Sequence, residues 1–433
     1  MKLIGMGLLG GFGERLRPLT LKASTRIRVR AEARFLGRPA VRIQLATLKA
    51  GGIHDFILAS KSREVRFAVR NLVGHGDDWD LTVRYTPPRH DHLDRGAADA
   101  VIRAAEHFEL QDDLLVFPVD TLLATDLAAA HARHTEQQTL LTVFVANRRA
   151  GTLAPGEMAL DVAADGRIRG PVPSEASALA QAFGPAWPTQ SVPVVTGFYL
   201  INARELRQLA LNPELARLRR QRLDFSPHLL RWALACGRPV QTWQVDWAAD
   251  LGQSEQFLSA TVGVLDGSAV IPGLSLGPDR QPPQRVFTPT LGGPWPAGWR
   301  HLYLGHDTVV GRNCHIEDAY IGDECVIGHH VTLVGAHLDD GVIVGDGAVV
   351  TASLLGVKAE VRSSLRHPTR IDHLSAVGDE AVVEAGAQLS EVLVLPKARV
   401  PGDVVVHGPA VLRPDMATGA DALRIRQLPG THA

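Results

Sequence analysis

Leu9-Gly10-Gly11-Phe12-Gly13-Glu14-Arg15-Leu16-Arg17-Pro18-Leu19-Thr20 follows a short apolar stretch. Three glycines let a backbone turn with positive φ and bring its N–H groups close to an anion, and a helix after such a turn adds its positive end. Arg15 adds a fixed positive charge suited to a polyphosphate. A glycine-rich turn is also an ordinary connection between a strand and a helix, so the rest of the chain has to decide. The residues before it, one lysine followed by apolar residues broken by glycine, are too short for a secretory signal and read as a first buried strand.

Outward from that loop, apolar runs of strand length alternate with helical patterns up to about residue 260, the pattern of a parallel sheet covered by helices. A helix-like Arg42–Ala50 is followed by Gly51-Gly52 and the run Ile53–Ala59. Leu114–Val119 is a second buried run, ending at Asp120, and Leu140–Val145 is a third. In such sheets ligands bind at the carboxyl ends of the strands, where the glycine loop and Asp120 both fall.

From about 265 to 300 the chain is rich in proline and glycine, as in a linker. Beyond it lies a repeat. Leu304, Val310 and Ile316 are six residues apart, as are Ile321, Ile327 and Leu333, then Leu338, Val344 and Val350. The group starts, Leu304, Ile321, Leu338 and Leu355, recur every 17 residues. After five extra residues around Ser363–His373 the register resumes at Val377, Val383 and Leu389, then Val394, Val400 and Val406. A period of six is neither a helical face nor an alternating strand. It fits a triangular solenoid with three short strands per coil.

Composition narrows the function. The 433 residues are 45% hydrophobic with a formal net charge of −1, enough for two cores and without the basic footprint of a nucleic-acid or membrane-surface binder. Three cysteines, Cys236, Cys314 and Cys325, form no CxxC pair and suggest a cytoplasmic protein without disulfides. No run reaches the length of a membrane span.

The glycine-rich run resembles the N-terminal signature of the sugar-phosphate nucleotidyltransferases, also called nucleotide-sugar pyrophosphorylases, with Leu9 in place of the usual alanine. Trp247-Ala248-Ala249-Asp250-Leu251-Gly252 is similar to that family's Trp-x-Asp-Ile-Gly stretch, with one extra residue before the aspartate. Phe117–Asp120 resembles its apolar strand ending in Asp. Weaker matches are Asp94–Val101, which stands where the family meets the nucleotide base, and Thr196–Tyr199, where it meets the sugar. The resemblance implies an α/β fold: a Rossmann-like, mostly parallel nucleotidyltransferase domain (1–262), a linker (263–300), a left-handed parallel β-helix of hexapeptide repeats (301–412) and a tail (413–433).

It also implies a reaction of NTP with a sugar 1-phosphate, mannose or glucose 1-phosphate by default, giving an NDP-sugar and pyrophosphate. Leu9, Gly10, Gly11, Gly13, Arg15, Gly96 and Ala97 would bind the nucleotide, and Thr196 and Gly197 the sugar. Asp120 and Asp250 would hold Mg²⁺ and, with Arg15, carry catalysis. A homo-oligomer with β-helix contacts is expected. Two departures matter. The sixteen residues Leu21–Leu36 hold Arg26, Arg28, Arg30 and Arg34 where the family has Pro-Lys-Pro, and no lysine stands near Val172–Glu175 where a second is expected. These losses leave open a regulatory or nucleotide-sugar-binding relative with impaired catalysis, and the solenoid histidines leave open an acyltransferase. Corner exposure is the expectation for His306, His315, His329, His330 and His337.

Overall fold

The computed structural model describes residues 2–10, 16–21, 29–90, 95–163, 166–274, 299–414 and 426–427. The elements of the first domain are β1 (Leu3–Leu9), α1 (Ala40–Ala50), β2 (Asp55–Ser60), α2 (Arg63–Val73), β3 (Thr82–Tyr85), α3 (Ala97–His107), β4 (Asp113–Pro118), β5 (Thr121–Ala124) and α4 (Leu127–Glu136). They continue with β6 (Leu141–Arg149), β7 (Met158–Val162), β8 (Ile168–Pro173), α5 (Ala176–Phe183), β9 (Ser191–Asn202), α6 (Ala203–Leu209), α7 (Pro213–Gln221), α8 (Arg231–Ala235), β10 (Val240–Gln244), β11 (Trp247–Asp250) and α9 (Ser254–Asp266).

The nine-stranded sheet runs β8-β7-β9-β4-β1-β2-β3, with β6 paired to β9 and β10. β4, β1, β2 and β3 are mutually parallel, and β9 runs antiparallel to β4. β1, β2 and β4 are apolar along nearly their whole length because both sheet faces are covered. Ile4, Met6 and Val116 pack under α3 on one face, and Phe56, Leu58 and Phe117 against Val41 and Val69 on the other. From β1 the chain passes to β2 on one side and later to β4 on the other. This switch in strand order opens a crevice at the carboxyl ends of β1 and β4.

From Trp299 onward the strands stack in parallel as a β-helix, the arrangement expected of a left-handed hexapeptide solenoid. Val309 lies over Val326, and Ile316 over Leu333. The inward aliphatics of the sixfold spacing, from Leu304 through Val350 to Val406, are all buried. Cys325, Val342, Ala359, Ala381 and Ala398 form a second inward column of small side chains. The five extra residues are divided: Val361 to Ile371 is ten residues where the repeat has six, and Ile371 to Val377 is six where it has five.

One outward column does not face water. Tyr303, Tyr320 and His337 recur at the 17-residue interval and stack ring on ring, with centroids 5.1 and 4.6 Å apart. Phe257 of α9 meets His337 edge-on at 4.9 Å, and Tyr320, Leu354 and Ala376 share a buried cluster with Phe35, Leu122, Phe257 and Leu258. His337 is therefore 1% exposed, a correction to its expected corner position: its column is the docking face for the first domain. His306, His315, His329 and His330 are exposed. The stretch expected as linker begins inside α9, and Ala269 and Ile271 after it lie in the same interdomain cluster.

Candidate active site

The crevice at the ends of β1 and β4 holds a cavity of about 420 Å³ lined by Leu8, Pro118, Asp120, Arg148, Thr196, Gly197, Asp224, Asp250 and their neighbours. β5 and β11 bring its two central carboxylates together. They pair antiparallel with Thr121 opposite Asp250, and the Leu251 N–H donates to the Asp120 carbonyl at 2.8 Å. Asp120 is 4% exposed. Asp250 accepts from the Gly252 N–H at 2.8 Å through Oδ1 and from Gln253 Nε2 at 3.1 Å through Oδ2.

Gly197 has φ +87° and lines the cavity where the register of β9 shifts between Val195 and Tyr199. Thr196 also lines the cavity, and its hydroxyl donates to the Phe144 carbonyl at 3.0 Å. Gly96 caps α3 at φ +93°, and a Cβ there would stand 2.3 Å from the Leu223 carbonyl oxygen. The α3 N-terminus is already engaged: the Ala97 N–H donates to Asp224 Oδ1 at 2.8 Å, and those of Ala98 and Asp99 donate to the Leu223 carbonyl. Ala97 remains on the cavity wall.

Leu9 is buried in the core, 1% exposed, and Gly10 follows it at the end of β1. Gly11, Gly13 and Arg15 lie outside the described residues, as do Arg26 and Arg28. Arg34, one of the arginines considered as a phosphate ligand, points elsewhere. It pairs with Asp340 of the β-helix and donates from Nη2 to the Gly37 carbonyl at 3.1 Å. Despite the cost of burial, Asp340 and Asp339 hold its guanidinium above its ordinary range.

Several wall residues carried no sequence signal. Among the described residues the one cation on the wall is Arg148, whose Nη1 donates to Glu157 Oε1 at 2.6 Å. Gln256 donates to the same oxygen at 3.0 Å and accepts from the Asp250 N–H at 2.9 Å, which links Arg148 to Asp250 through one hydrogen-bonded chain. Phe225–Leu230 forms a π-helical turn, a local widening common at functional sites. It places Phe225 over Tyr199, with ring centroids 4.4 Å apart, and Ser226 2.8 Å from the Tyr199 hydroxyl. Burial pushes that phenol up to about 12, so it stays neutral.

Two carboxylates at one edge of a cleft suit a hard divalent cation, which prefers oxygen ligands. Among the described residues no three His, Cys, Asp or Glu side chains converge on a point. A cation at Asp120 and Asp250 would therefore complete its shell with phosphate oxygens and water.

The nucleotidyl transferase family model matches residues 4–266, and a model described as the GMPPB C-terminal domain matches residues 300–409. The first covers more than half of the chain, which therefore belongs to the nucleotidyl transferase family. No curated protein matches the chain. Among solved structures, a Bacillus anthracis protein described as a glucose-1-phosphate thymidylyltransferase, in complex with sucrose, aligns at 19% identity. The alignment covers 60% of this chain and 93% of that one, with a TM-score of 0.46. Among the described residues no helix is long and apolar enough to cross a membrane.

Proposed function

We propose that the chain transfers a nucleotidyl group from an NTP to a sugar 1-phosphate. An oxygen of the sugar phosphate attacks the α-phosphorus, the bond from that phosphorus to the β-phosphate oxygen breaks, and pyrophosphate leaves with the electron pair. No covalent enzyme intermediate is needed, so the protein's task is alignment and charge neutralisation. The observation that supports the reading is that Asp120 and Asp250 line one cavity from neighbouring positions of the β5–β11 pair, at the strand ends where such folds bind ligands. Bound there, Mg²⁺ would neutralise phosphate charge. Gly197 would face the sugar against β9, and Arg148 on the same cavity wall would meet its phosphate once released from Glu157.

A panel of NTPs against mannose and glucose 1-phosphates with Mg²⁺, read by pyrophosphate release, tests the reading. Asp120→Asn and Asp250→Asn are each expected to lower the rate by roughly a hundredfold or more, because several kcal/mol of charge stabilisation is withdrawn, while the melting temperature without ligand changes little. Retained metal-dependent activity in both variants would remove these aspartates from the site. A second reading, a binding or regulatory relative, is favoured by one observation: Glu157 already neutralises Arg148. Nucleotide binding without pyrophosphate release from any pair would select it.

A further inference from the structure

We propose that a second cavity, at the outer edge of the first domain, binds an organic phosphate with an apolar or planar body, of the size of a nucleoside monophosphate. The cavity, about 500 Å³, is lined by Arg63, Arg66, Phe67 and Arg70 of α2, by His75, and by Tyr85–Pro88 at the end of β3. That volume is within the usual range for small-molecule sites. β3 is the edge strand, two places from β1, and no lining residue is shared with the crevice at Asp120. The two cavities are therefore separate sites.

The charge is one-sided. Arg63, Arg66 and Arg70 recur at i, i+3 and i+7, one face of α2, and among the described residues no carboxylate lines the cavity. Among the described residues neither Arg63 nor Arg70 pairs with an acid: Arg63 lies over the Phe67 ring at 5.4 Å, and Arg70 Nη2 donates to His75 Nε2 at 3.1 Å. His75 Nδ1 is 3.2 Å from the Val83 carbonyl, which requires the proton on Nδ1 and leaves Nε2 as the acceptor that orients Arg70.

Apart from Thr86 the remaining wall is apolar. Phe67 is 51% exposed on a helix otherwise amphipathic, and Pro87 and Pro88 line the same cavity. Tyr85 uses its hydroxyl to donate to the Gly74 carbonyl at 2.7 Å, so it offers the cavity its ring. Guanidinium forks match phosphate oxygens in pairs and a flat guanidinium also stacks on rings. A wall dominated by these two kinds of group selects a ligand with a phosphate at one end and an apolar face at the other.

The test is calorimetric titration of the full chain with AMP, GMP, UMP and TMP, with adenosine and inorganic phosphate as single-feature controls. Arg63→Gln/Arg70→Gln is titrated alongside, and its NTP binding reports that the crevice and fold are intact. At least one monophosphate should bind the unmodified chain more tightly than either control, and the double variant should weaken it at least about tenfold. Three results would overturn the proposal: no monophosphate binding, binding unchanged in the double variant, or inorganic phosphate binding as tightly as the nucleotide.

Discussion

Asp120, Gly96 and the three cysteines show how differently single residues can be read. An aspartate at the end of an apolar run announces a strand end, and Asp120 stands at one, on the wall of the cavity. Gly96 is required by shape: its positive φ and the 2.3 Å approach to the Leu223 carbonyl leave no room for a methyl group. Gly96→Ala should cost at least about 1–3 kcal/mol in urea denaturation, with nucleotide affinity falling further as α3 is displaced. The cysteines divide by burial. Burial pushes the Cys325 thiol up to about 12 and raises that of Cys314, whereas Cys236 is exposed. Because the thiolate is the reactive form, brief alkylation of the native chain should label Cys236 alone. Labelling of Cys325 without unfolding would contradict the inward column described for it.

At the scale of elements, α4 is pinned to the sheet by two histidines one turn apart. His131 Nε2 lies 2.7 Å from Asp113 Oδ2, and His134 Nδ1 lies 2.8 Å from the Thr142 hydroxyl. Burial depresses His134 below its ordinary value, outweighing the pull of Asp113. The unfolded chain therefore takes up this proton first as pH falls, and the folded state loses stability below about pH 6.5. For Asp113, hydrogen bonds from His131 and Asn202 outweigh burial and hold the carboxyl low, so its contribution is present at neutral pH and disappears only below about pH 3.9. Between pH 7 and pH 5, urea midpoints should fall less in His134→Gln than in the unmodified chain. An equal fall would place the acid sensitivity elsewhere.

Elements were legible wherever a local period wrote them. The spacing of six and seventeen residues identified the solenoid and its inward aliphatics because each coil obeys the same rule. Asp120 and Asp250 were legible because each sits in a distinctive local run. Arg148, Glu157, Gln256 and Asp224 were not, since each is placed by a long-range pairing that leaves no local pattern. Arg34 is the sharpest case. Within its own loop it reads as one of four phosphate-seeking arginines, and its partner Asp340 is 306 residues away.

The interdomain cluster governs the whole molecule. Phe35, Phe257, Leu258 and Ile271 are buried in part by Tyr320, Leu354 and Ala376 of the β-helix, so a chain cut after Leu274 would bare them. Such a fragment should be poorly soluble and bind ANS strongly, and a soluble, cooperatively melting fragment would show that the first domain stands alone. We also propose association of the full chain through residues 300–410, where Val309, Val326 and Ile343 form an exposed apolar column. A monomeric mass by light scattering would reject it.

The end of the solenoid has a further consequence. Every coil after the first is laid down in parallel on its predecessor, a geometry that another molecule's first coil could in principle extend. The strand Val405–Leu412 instead pairs antiparallel with Arg426–Gln427, setting Ala410 against Gln427. The reversed strand already occupies the hydrogen-bonding edge at Ala410 and Val411, so an incoming Trp299–Leu304 edge would have to displace it to continue the parallel stack there. Along that stretch the edge that a repeating architecture would offer for head-to-tail stacking into fibres is spent on the chain itself.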